Sequence, residues 1–194
     1  MIIEMAPTTS TLQHAAGLIL LRETTAGPEV LLGRRHRRMV FMPGVYVFPG
    51  GRLEEEDHLD DSLASVVQAP AEVDAATSAI LPALARAALR ELSEETGLVM
   101  QRAKARSLRL IARAITPPGN PRRYDTRFFL GDGAHFSGQL AGDGELEDLR
   151  WHSSTALRHL PLPRVTEVVM KQALAVWHDP DTAYYEITRK EELG

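Results

Sequence analysis

The stretch Arg90–Leu98, with the sequence RELSEETGL, constrains this chain more than any other. On an α-helix Glu91 and Glu95 are four residues apart and share one face, with Glu94 on the adjacent row. Like charges at this spacing destabilise a helix by about 0.2–0.5 kcal/mol, and carboxylates in the last turn oppose the helix dipole. Gly97 is placed to end the helix. A hard divalent cation would compensate such a cluster.

The alternative is an acidic, solvated helix end, which is the ordinary meaning of such a cluster. Pro82 suits the first turn of a helix, so the pattern predicts a helix from Pro82 to Glu95. Glu91 and Glu95 project to the edge of its apolar arc, and we therefore expect them to be half solvated. The residues that form this arc are Leu81, Leu84, Ala85, Ala88, Leu89 and Leu92.

Length and composition predict one domain over residues 1–194. The chain is 44% hydrophobic and 25% charged, which is ordinary for a globular protein. A net charge of −4 gives no drive towards nucleic acid, and no apolar run is long enough to span a membrane. There is no cysteine, which excludes disulfides and thiolate chemistry, and no signal peptide is recognisable. We expect a cytoplasmic protein without a nucleic-acid or membrane partner.

The hydrophobic pattern predicts a mixed α/β chain. His14–Arg22 is a near-continuous apolar run, typical of a strand covered on both faces, and it forms an antiparallel hairpin with the strand Glu29–Arg35. Gly131–Gly144 contains five glycines and predicts a flexible loop, while Tyr184–Gly194 is expected to be peripheral. The other predicted elements are strands at Val45–Phe48, Leu108–Thr116, Arg122–Leu130 and Glu145–Trp151, a helix capped by Ser153 or Ser154 that runs to His159, and a helix at Val165–Trp177.

A basic cluster follows the second strand, with His36 among four arginines. It lies beside Phe41–Gly51, whose paired glycines allow the backbone to approach a ligand closely. Such a cluster suits a polyanionic ligand, and it is equally explained as a solvated positive loop. The arginines are Arg34, Arg35, Arg37 and Arg38.

Together these residues resemble the Nudix hydrolase family. The family signature is a Gly, five residues, a Glu, seven residues, and then Arg-Glu-aliphatic-x-Glu-Glu-x-Gly-aliphatic. Arg90–Leu98 matches its second half completely, and Phe48–Gly51 supplies the Pro-Gly-Gly loop before it. The segment Gly144–Leu157 is similar to the last strand and following helix of the family. The resemblance implies an α/β/α sandwich with a mixed sheet between helices.

The chain departs from the signature between its two halves. Gly51 and Arg90 are separated by 38 residues, where the family has 13, so about 25 residues are inserted, at about 58–81. Counting six residues from Gly51 reaches Asp57, and from Gly50 reaches Glu56, so either acid could take the first Glu position. An insertion here is expected to be a lid or a substrate-selecting element.

An interrupted signature of this kind resembles the coenzyme A diphosphatase branch. The second motif of that branch is matched at Leu31, Leu32, Arg35, Gly44 and Phe48–Gly51. It departs at Gly33, His36 and Val40, where the branch has a Thr, a small residue and a second Arg. The coenzyme A assignment therefore rests on a partial match.

The resemblance also implies roles for individual residues. Glu91, Glu94 and Glu95 would hold Mg²⁺ or Mn²⁺ as oxygen ligands, with Glu95 the most critical and one of the three helping to deprotonate the attacking water. Arg90 would pair with Glu94, and the loop at Gly51 would bring its carbonyl to the metal. No HxxxH or GxSxG pattern supports a zinc site or a covalent mechanism. Candidates for gripping the phosphates are Arg35, Arg122 and Arg123, and Tyr124 or Phe128 is a candidate for stacking on a base if it is not a core residue.

The expected activity is metal-dependent hydrolysis of a diphosphate linkage, with coenzyme A or an acyl-coenzyme A as the leading substrate. ADP-ribose, NADH, nucleotide sugars and nucleoside triphosphates are the alternative substrates. A nucleotide-binding sensor without turnover is the alternative of another class, and the complete set of three glutamates argues against it. A homodimer is compatible with the apolar terminal elements.

Overall fold

The computed structural model describes residues 11–39, 42–59, 62–101, 107–142 and 144–187. Residues 1–10 lie outside these ranges, and so do Val40, Phe41 and the residues after Ile187.

The described chain contains eleven strands and three α-helices. None of the described helices is long and apolar enough to cross a membrane. The helices are α1 (Ala75–Thr96), α2 (Ser154–Leu157) and α3 (Arg164–His178). The strands are β1 (Leu12–Arg22), β2 (Glu29–Arg35), β3 (Tyr46–Val47), β4 (Gly50–Arg52), β5 (Val67–Gln68), β6 (Leu98–Met100), β7 (Leu108–Ile115), β8 (Arg123–Asp132), β9 (Phe136–Gly138), β10 (Leu146–Ser153) and β11 (Tyr185–Ile187).

One large sheet runs in the order β10-β2-β1-β8-β7-β11, and β3, β4 and β5 pair with β2, β1 and β7. β1 is antiparallel to β2 and parallel to β8, so the sheet is mixed and the predicted first hairpin is confirmed. β6 and β9 form a separate two-stranded sheet.

The sheet lies between helices because β1 is apolar on both faces. Leu18 and Leu20 point to one side, where they belong to a core cluster with α1. Ile19 and Leu21 point to the other side, where they belong to a cluster with α3. This alternation confirms the predicted α/β/α sandwich and the doubly covered first strand.

Helix α1 begins at Ala75, so the prediction of a start near Pro82 was wrong. The Asp74 carboxylate accepts a hydrogen bond of 2.7 Å from the Thr77 N–H and caps the helix two turns earlier. Pro82 therefore lies in the helix interior, where it removes one backbone hydrogen bond. Gly97, with φ of 72°, ends the helix as predicted.

The inserted segment packs on the core and does not act as a lid. Leu63, Val66 and Leu81 are buried in the α1 cluster, and β5 adds a short parallel strand to β7. None of its described residues lines the cavity beside the acidic end of α1. The lid expectation is therefore wrong for these residues, since burial of their apolar side chains fixes them away from the opening.

Three smaller predictions also need correction. Gly131–Gly144 is not only a loop, because Phe136 is buried and β9 pairs with β6. Within the segment expected to be peripheral, Tyr185–Ile187 is part of the core sheet, since β11 extends the sheet beside β7 and Ile187 is 2% exposed. Helix α2 is capped by Ser153, as predicted, but it ends at Leu157 and not at His159.

Candidate active site

A single cavity of about 940 Å³ brings together all the residues to which the resemblance assigns a role in catalysis or binding. Its walls come from the acidic end of α1, the strand β4, the end of β2 and the start of β8. The sequence-predicted residues that line it are Glu91, Glu94, Glu95, Arg90, Gly51, Arg35, Arg122, Arg123 and Tyr124.

The cavity floor is the part of the sheet that α3 does not cover. Farther along β1, Ile19 and Leu21 pack in the α3 cluster. Toward the start of the strand, β1 exposes only small or polar side chains, and β8 pairs with it in parallel register. The sheet face is therefore open at this end. The floor residues are Gln13, Ala15, Gly17, Tyr124, Thr126 and Phe128.

Glu95 is buried, with a residue exposure of 3%, and not half solvated as its helical projection indicates. The strand β4 covers it, and its carboxylate accepts a hydrogen bond of 2.9 Å from the Gly50 N–H. Burial raises the pKa of Glu95 to about 8, the Gly50 hydrogen bond and Arg35 lower it, and the charges of Glu91 and Glu145 raise it. Glu95 is thus an acid that is costly to ionise without a cation.

Glu91 and Glu94 differ in their surroundings. The Glu91 side chain is 18% exposed and accepts a hydrogen bond of 2.9 Å from Arg90 Nη1. Burial raises the pKa of Glu91, partly offset by Arg90. The Glu94 side chain is 54% exposed and lies 3.3 Å from the same Arg90 nitrogen, which is the contact expected from their spacing.

Arg90 is held in place by Asp57, and this contact decides between the two acids that the sequence left open. Asp57 is 1% exposed, and its carboxylate accepts hydrogen bonds of 3.3 Å and 3.1 Å from Arg90 Nε and Nη2. Glu56 is exposed and makes no such contact. The acid six residues after Gly51 is therefore the partner of Arg90, despite the insertion that follows it.

The two loop glycines are required for different reasons. A Cβ on Gly50 would lie 2.4 Å from the Ala16 carbonyl oxygen and 2.7 Å from the Gly17 Cα, so β4 could not pair closely with β1. A Cβ on Gly51 would lie 2.1 Å from Glu91 Oε1. Gly50 thus serves the strand pairing, and Gly51 leaves room for a carboxylate.

This difference predicts separable effects of two alanine substitutions. Gly50→Ala should lower the free energy of unfolding by about 1–3 kcal/mol, because the clash is with rigid backbone. Gly51→Ala should change it by less than about 1 kcal/mol and reduce diphosphate hydrolysis by about 10-fold or more, because only the Glu91 side chain has to move. Urea unfolding and the rate of diphosphate hydrolysis, measured on the same preparations, test both predictions. Equal losses of stability in the two variants would contradict the different roles of Gly50 and Gly51.

The donor set fits a hard divalent cation. All the candidate ligands are oxygens, which favours Mg²⁺ or Mn²⁺ over zinc. The buried Glu95 carboxylate and the space left beside Glu91 by Gly51 are the features that a bound cation would use. Among the described residues, no three His, Cys, Asp or Glu side chains are already gathered as a metal site. Instead, Arg90 bonds Glu91 and Glu94, and the Gly50 N–H bonds Glu95.

The pKa of Glu95 predicts how the metal-free protein responds to pH. Because its folded pKa is about 8 and its unfolded value is about 4.5, the folded state binds the proton more tightly. Stability should therefore fall as pH rises between these values, by on the order of 3 kcal/mol from this group. Urea unfolding in EDTA between pH 5 and 9 measures it. Glu95→Gln should remove this slope, and an identical slope in the variant would refute the assignment.

The basic residues divide into those that line the cavity and those that do not. Arg35 lines it, whereas Arg34 bonds Glu147 at 3.1 Å and Arg37 and Arg38 are exposed outside the cavity lining. Of the predicted cluster, one arginine therefore faces the site.

The start of β8 supplies two further arginines, Arg122 and Arg123, and places Tyr124 on the floor. Arg123 Nε donates a hydrogen bond of 3.1 Å to the Thr116 carbonyl, and the Tyr124 N–H donates one of 3.1 Å to the Thr116 hydroxyl. These bonds tie the segment to the end of β7.

The structure adds Glu145 to the site, which the sequence did not indicate, and places Phe48 and Phe128 beside each other there. Glu145 lines the cavity, and its charge raises the pKa of both Glu91 and Glu95. Phe48 and Phe128 contact each other edge to face, with ring centroids 6.4 Å apart. In the sequence, Glu145 is an acid after a glycine-rich loop, and nothing marks it as a site residue. It reaches the cavity because β10, which follows it, pairs with β2.

Comparison with solved structures places this fold. A Nudix hydrolase from Alicyclobacillus acidocaldarius is 28% identical, covers 86% of this chain and 92% of its own, and superposes with a TM-score of 0.66. The NUDIX domain of Shewanella oneidensis NrtR, solved with ADP ribose, is 16% identical over 87% of this chain and 90% of its own, with a TM-score of 0.58.

A MutT NUDIX hydrolase from Burkholderia pseudomallei is 20% identical over 84% of this chain and 98% of its own, with a TM-score of 0.54. Neither a protein-family model nor a curated protein sequence matches the chain. The structural neighbours agree with one another and with the helix motif at the cavity. The chain therefore has the fold of the Nudix hydrolases to which it is similar.

Proposed function

We propose that the chain hydrolyses the diphosphate linkage of coenzyme A or an acyl-coenzyme A, giving 3′,5′-ADP and (acyl-)4′-phosphopantetheine. The broader activity, hydrolysis of a diphosphate in a nucleoside diphosphate derivative, is that of its fold and neighbours. The observation that carries the proposal is the cavity itself, which sets an acidic helix face against arginines within one space of about 940 Å³.

Two features support the coenzyme A substrate within this activity. The second motif of the coenzyme A branch contributes Arg35 and Phe48–Gly51, and all of these except Pro49 line the cavity. Arg122 and Arg123 add positive charge at the start of β8. A substrate with a phosphomonoester besides its diphosphate would use that additional charge.

In this proposal Glu91, Glu94 and Glu95 hold Mg²⁺ or Mn²⁺. Gly51 has no side chain and therefore leaves room for the Glu91 carboxylate beside the cation. When bound, the cation would stabilise negative charge on the diphosphate oxygens. Arg90 is a positioning residue, because it bonds Glu91 and Glu94 while Asp57 fixes its own orientation. One of the three glutamates would help to take a proton from the attacking water.

The alternatives are distinguished by specific observations. The NrtR domain of the same fold was solved with ADP ribose, which favours ADP-ribose as the second candidate substrate. NADH, nucleotide sugars and nucleoside triphosphates share the same diphosphate chemistry. A nucleotide-binding sensor would also use the arginines and aromatic floor, but it would not need three glutamates at the cavity.

A product assay with purified protein and Mg²⁺ or Mn²⁺ tests the proposal. The substrates are coenzyme A, acetyl-coenzyme A, ADP-ribose, NADH and nucleoside triphosphates. Release of 3′,5′-ADP and 4′-phosphopantetheine supports the coenzyme A assignment. Turnover of another substrate alone keeps the chemistry and rejects coenzyme A, and nucleotide binding without any product supports the sensor.

The remaining assignments rest on the sequence. We propose that residues 1–194 form one domain with an insertion at about 58–81. We also propose that the protein works in the cytoplasm on a small nucleotide-type substrate, with neither nucleic acid nor membrane as a partner, and that it is compatible with a homodimer. Size-exclusion chromatography with light scattering would determine the oligomeric state.

A further inference from the structure

One end of the cavity has a composition unlike the charged end. Phe48 and Phe128 line it with their edge-to-face rings, and Val165 and Thr166 line it from the start of α3. Apolar walls with few polar groups are typical of a pocket for a flat organic group. Gly17 makes room for the Phe128 ring, whose Cδ1 would lie 2.9 Å from a Cβ at that position.

Thr166 is the polar group of this pocket. It is 4% exposed, and no hydrogen bond reaches its hydroxyl within the described ranges. The hydroxyl is not among the fully buried side-chain atoms that lack a partner in the described chain, so its oxygen is reached from the cavity and can bond a ligand atom there. Because Thr166 lines the cavity, that ligand atom would enter from the cavity side.

The backbone of α3 adds donors at the same place. This helix has 15 residues, its N-cap is Pro163, and no side chain caps its first turn. The N–H groups of that turn have no partner within the helix. The Glu167 N–H is the first along the helix to donate a backbone hydrogen bond, which the Pro163 carbonyl accepts. Val165 and Thr166 thus present backbone N–H donors beside an apolar pocket. A flat group with acceptor atoms on its edge would match both features.

We propose that this pocket of Phe48, Phe128, Val165 and Thr166 binds the nucleobase of the substrate, with an acceptor on the base edge bonded to the Thr166 hydroxyl. The base lies on the Phe128 ring, while the arginines and glutamates face the phosphates at the charged end. This assignment deepens the proposed function and rests on it for the choice of a nucleotide. It makes Thr166 a specificity-determining residue that the helix motif does not contain.

Calorimetric titration in Mg²⁺ with AMP and with ribose 5-phosphate tests it, because neither ligand has a diphosphate to hydrolyse. Thr166→Val, which is isosteric, should weaken AMP binding by about five-fold, and Thr166→Ser should stay within two-fold of wild type. Ribose 5-phosphate binding should be unchanged in both. Phe128→Leu should weaken AMP binding by about five-fold or more through loss of stacking. Thermal unfolding of each variant verifies that it is folded.

Two results would overturn the assignment. The first is AMP binding to Thr166→Val as tight as to wild type. The second is an equal loss for AMP and ribose 5-phosphate, which would place the phosphate and not the base at α3. If the AMP effect holds while no diphosphate substrate is turned over, the nucleobase pocket stands and the proposed hydrolysis fails. If turnover is normal without the AMP effect, the hydrolysis stands and the pocket assignment fails.

Discussion

Glu95→Gln should reduce diphosphate hydrolysis by about 10³-fold, or about 4 kcal/mol in activation free energy, and leave the protein folded. Glu95 is the most buried of the three helix glutamates and faces the cavity beside the β4 backbone. The glutamine has nearly the same shape and can still accept the Gly50 N–H. What it loses is the negative charge that would hold a cation and the capacity to take a proton.

The control for this substitution is Glu56→Gln, which makes the same chemical change on an exposed side chain outside the cavity. We expect its turnover to equal that of wild type. The measurement is steady-state kinetics with the best substrate of the panel, together with titration of Mn²⁺ binding. A Glu95→Gln variant that retains a tenth of wild-type kcat would remove Glu95 from the mechanism.

Asp57→Asn should lower the free energy of unfolding by about 2–3 kcal/mol and turnover by about 10-fold or more. Removing one charge of a buried pair leaves the other uncompensated, at a cost of about 3–5 kcal/mol when both are fully buried. We expect less here, because the Arg90 side chain is 23% exposed. Turnover falls because Arg90 also orients Glu91 and Glu94, and its release would misplace both carboxylates.

Glu56→Gln is again the matched control, since it neutralises the adjacent acid. It should change the free energy of unfolding, measured by urea, by no more than about 0.5 kcal/mol. If Glu56→Gln were the destabilising variant and Asp57→Asn were neutral, the acid that pairs with Arg90 would have been assigned to the wrong residue.

Much of the fold could be predicted from local pattern. The apolar run of β1 predicted a strand covered on both faces, because alternate side chains must all leave water. The Arg90–Leu98 motif predicted the helix, its end at Gly97 and the Arg90–Glu94 contact. The start of α1 was missed because Pro82 was taken as its first turn, although Asp74 followed by Thr77 three residues later is itself a capping signal.

Burial and long-range pairing could not be predicted in this way. Helical projection left Glu95 at the edge of the apolar arc, and only the docking of β4 on β1 covers it. The inserted segment has no periodicity that would distinguish a lid from a packed element. Its Leu63 and Val66 are buried because β7 offers a free strand edge at that point.

The sequence by itself determined that the three candidate ligands lie together at one end of a helix, since the spacing of Glu91, Glu94 and Glu95 is a local property of the backbone. The tertiary structure decided what surrounds them. It selected Asp57 over Glu56, brought Glu145 beside the helix acids, and set Thr166 into an apolar corner. Those relations join residues that are distant along the chain, and they depend on strand register and helix packing, which local propensities do not encode.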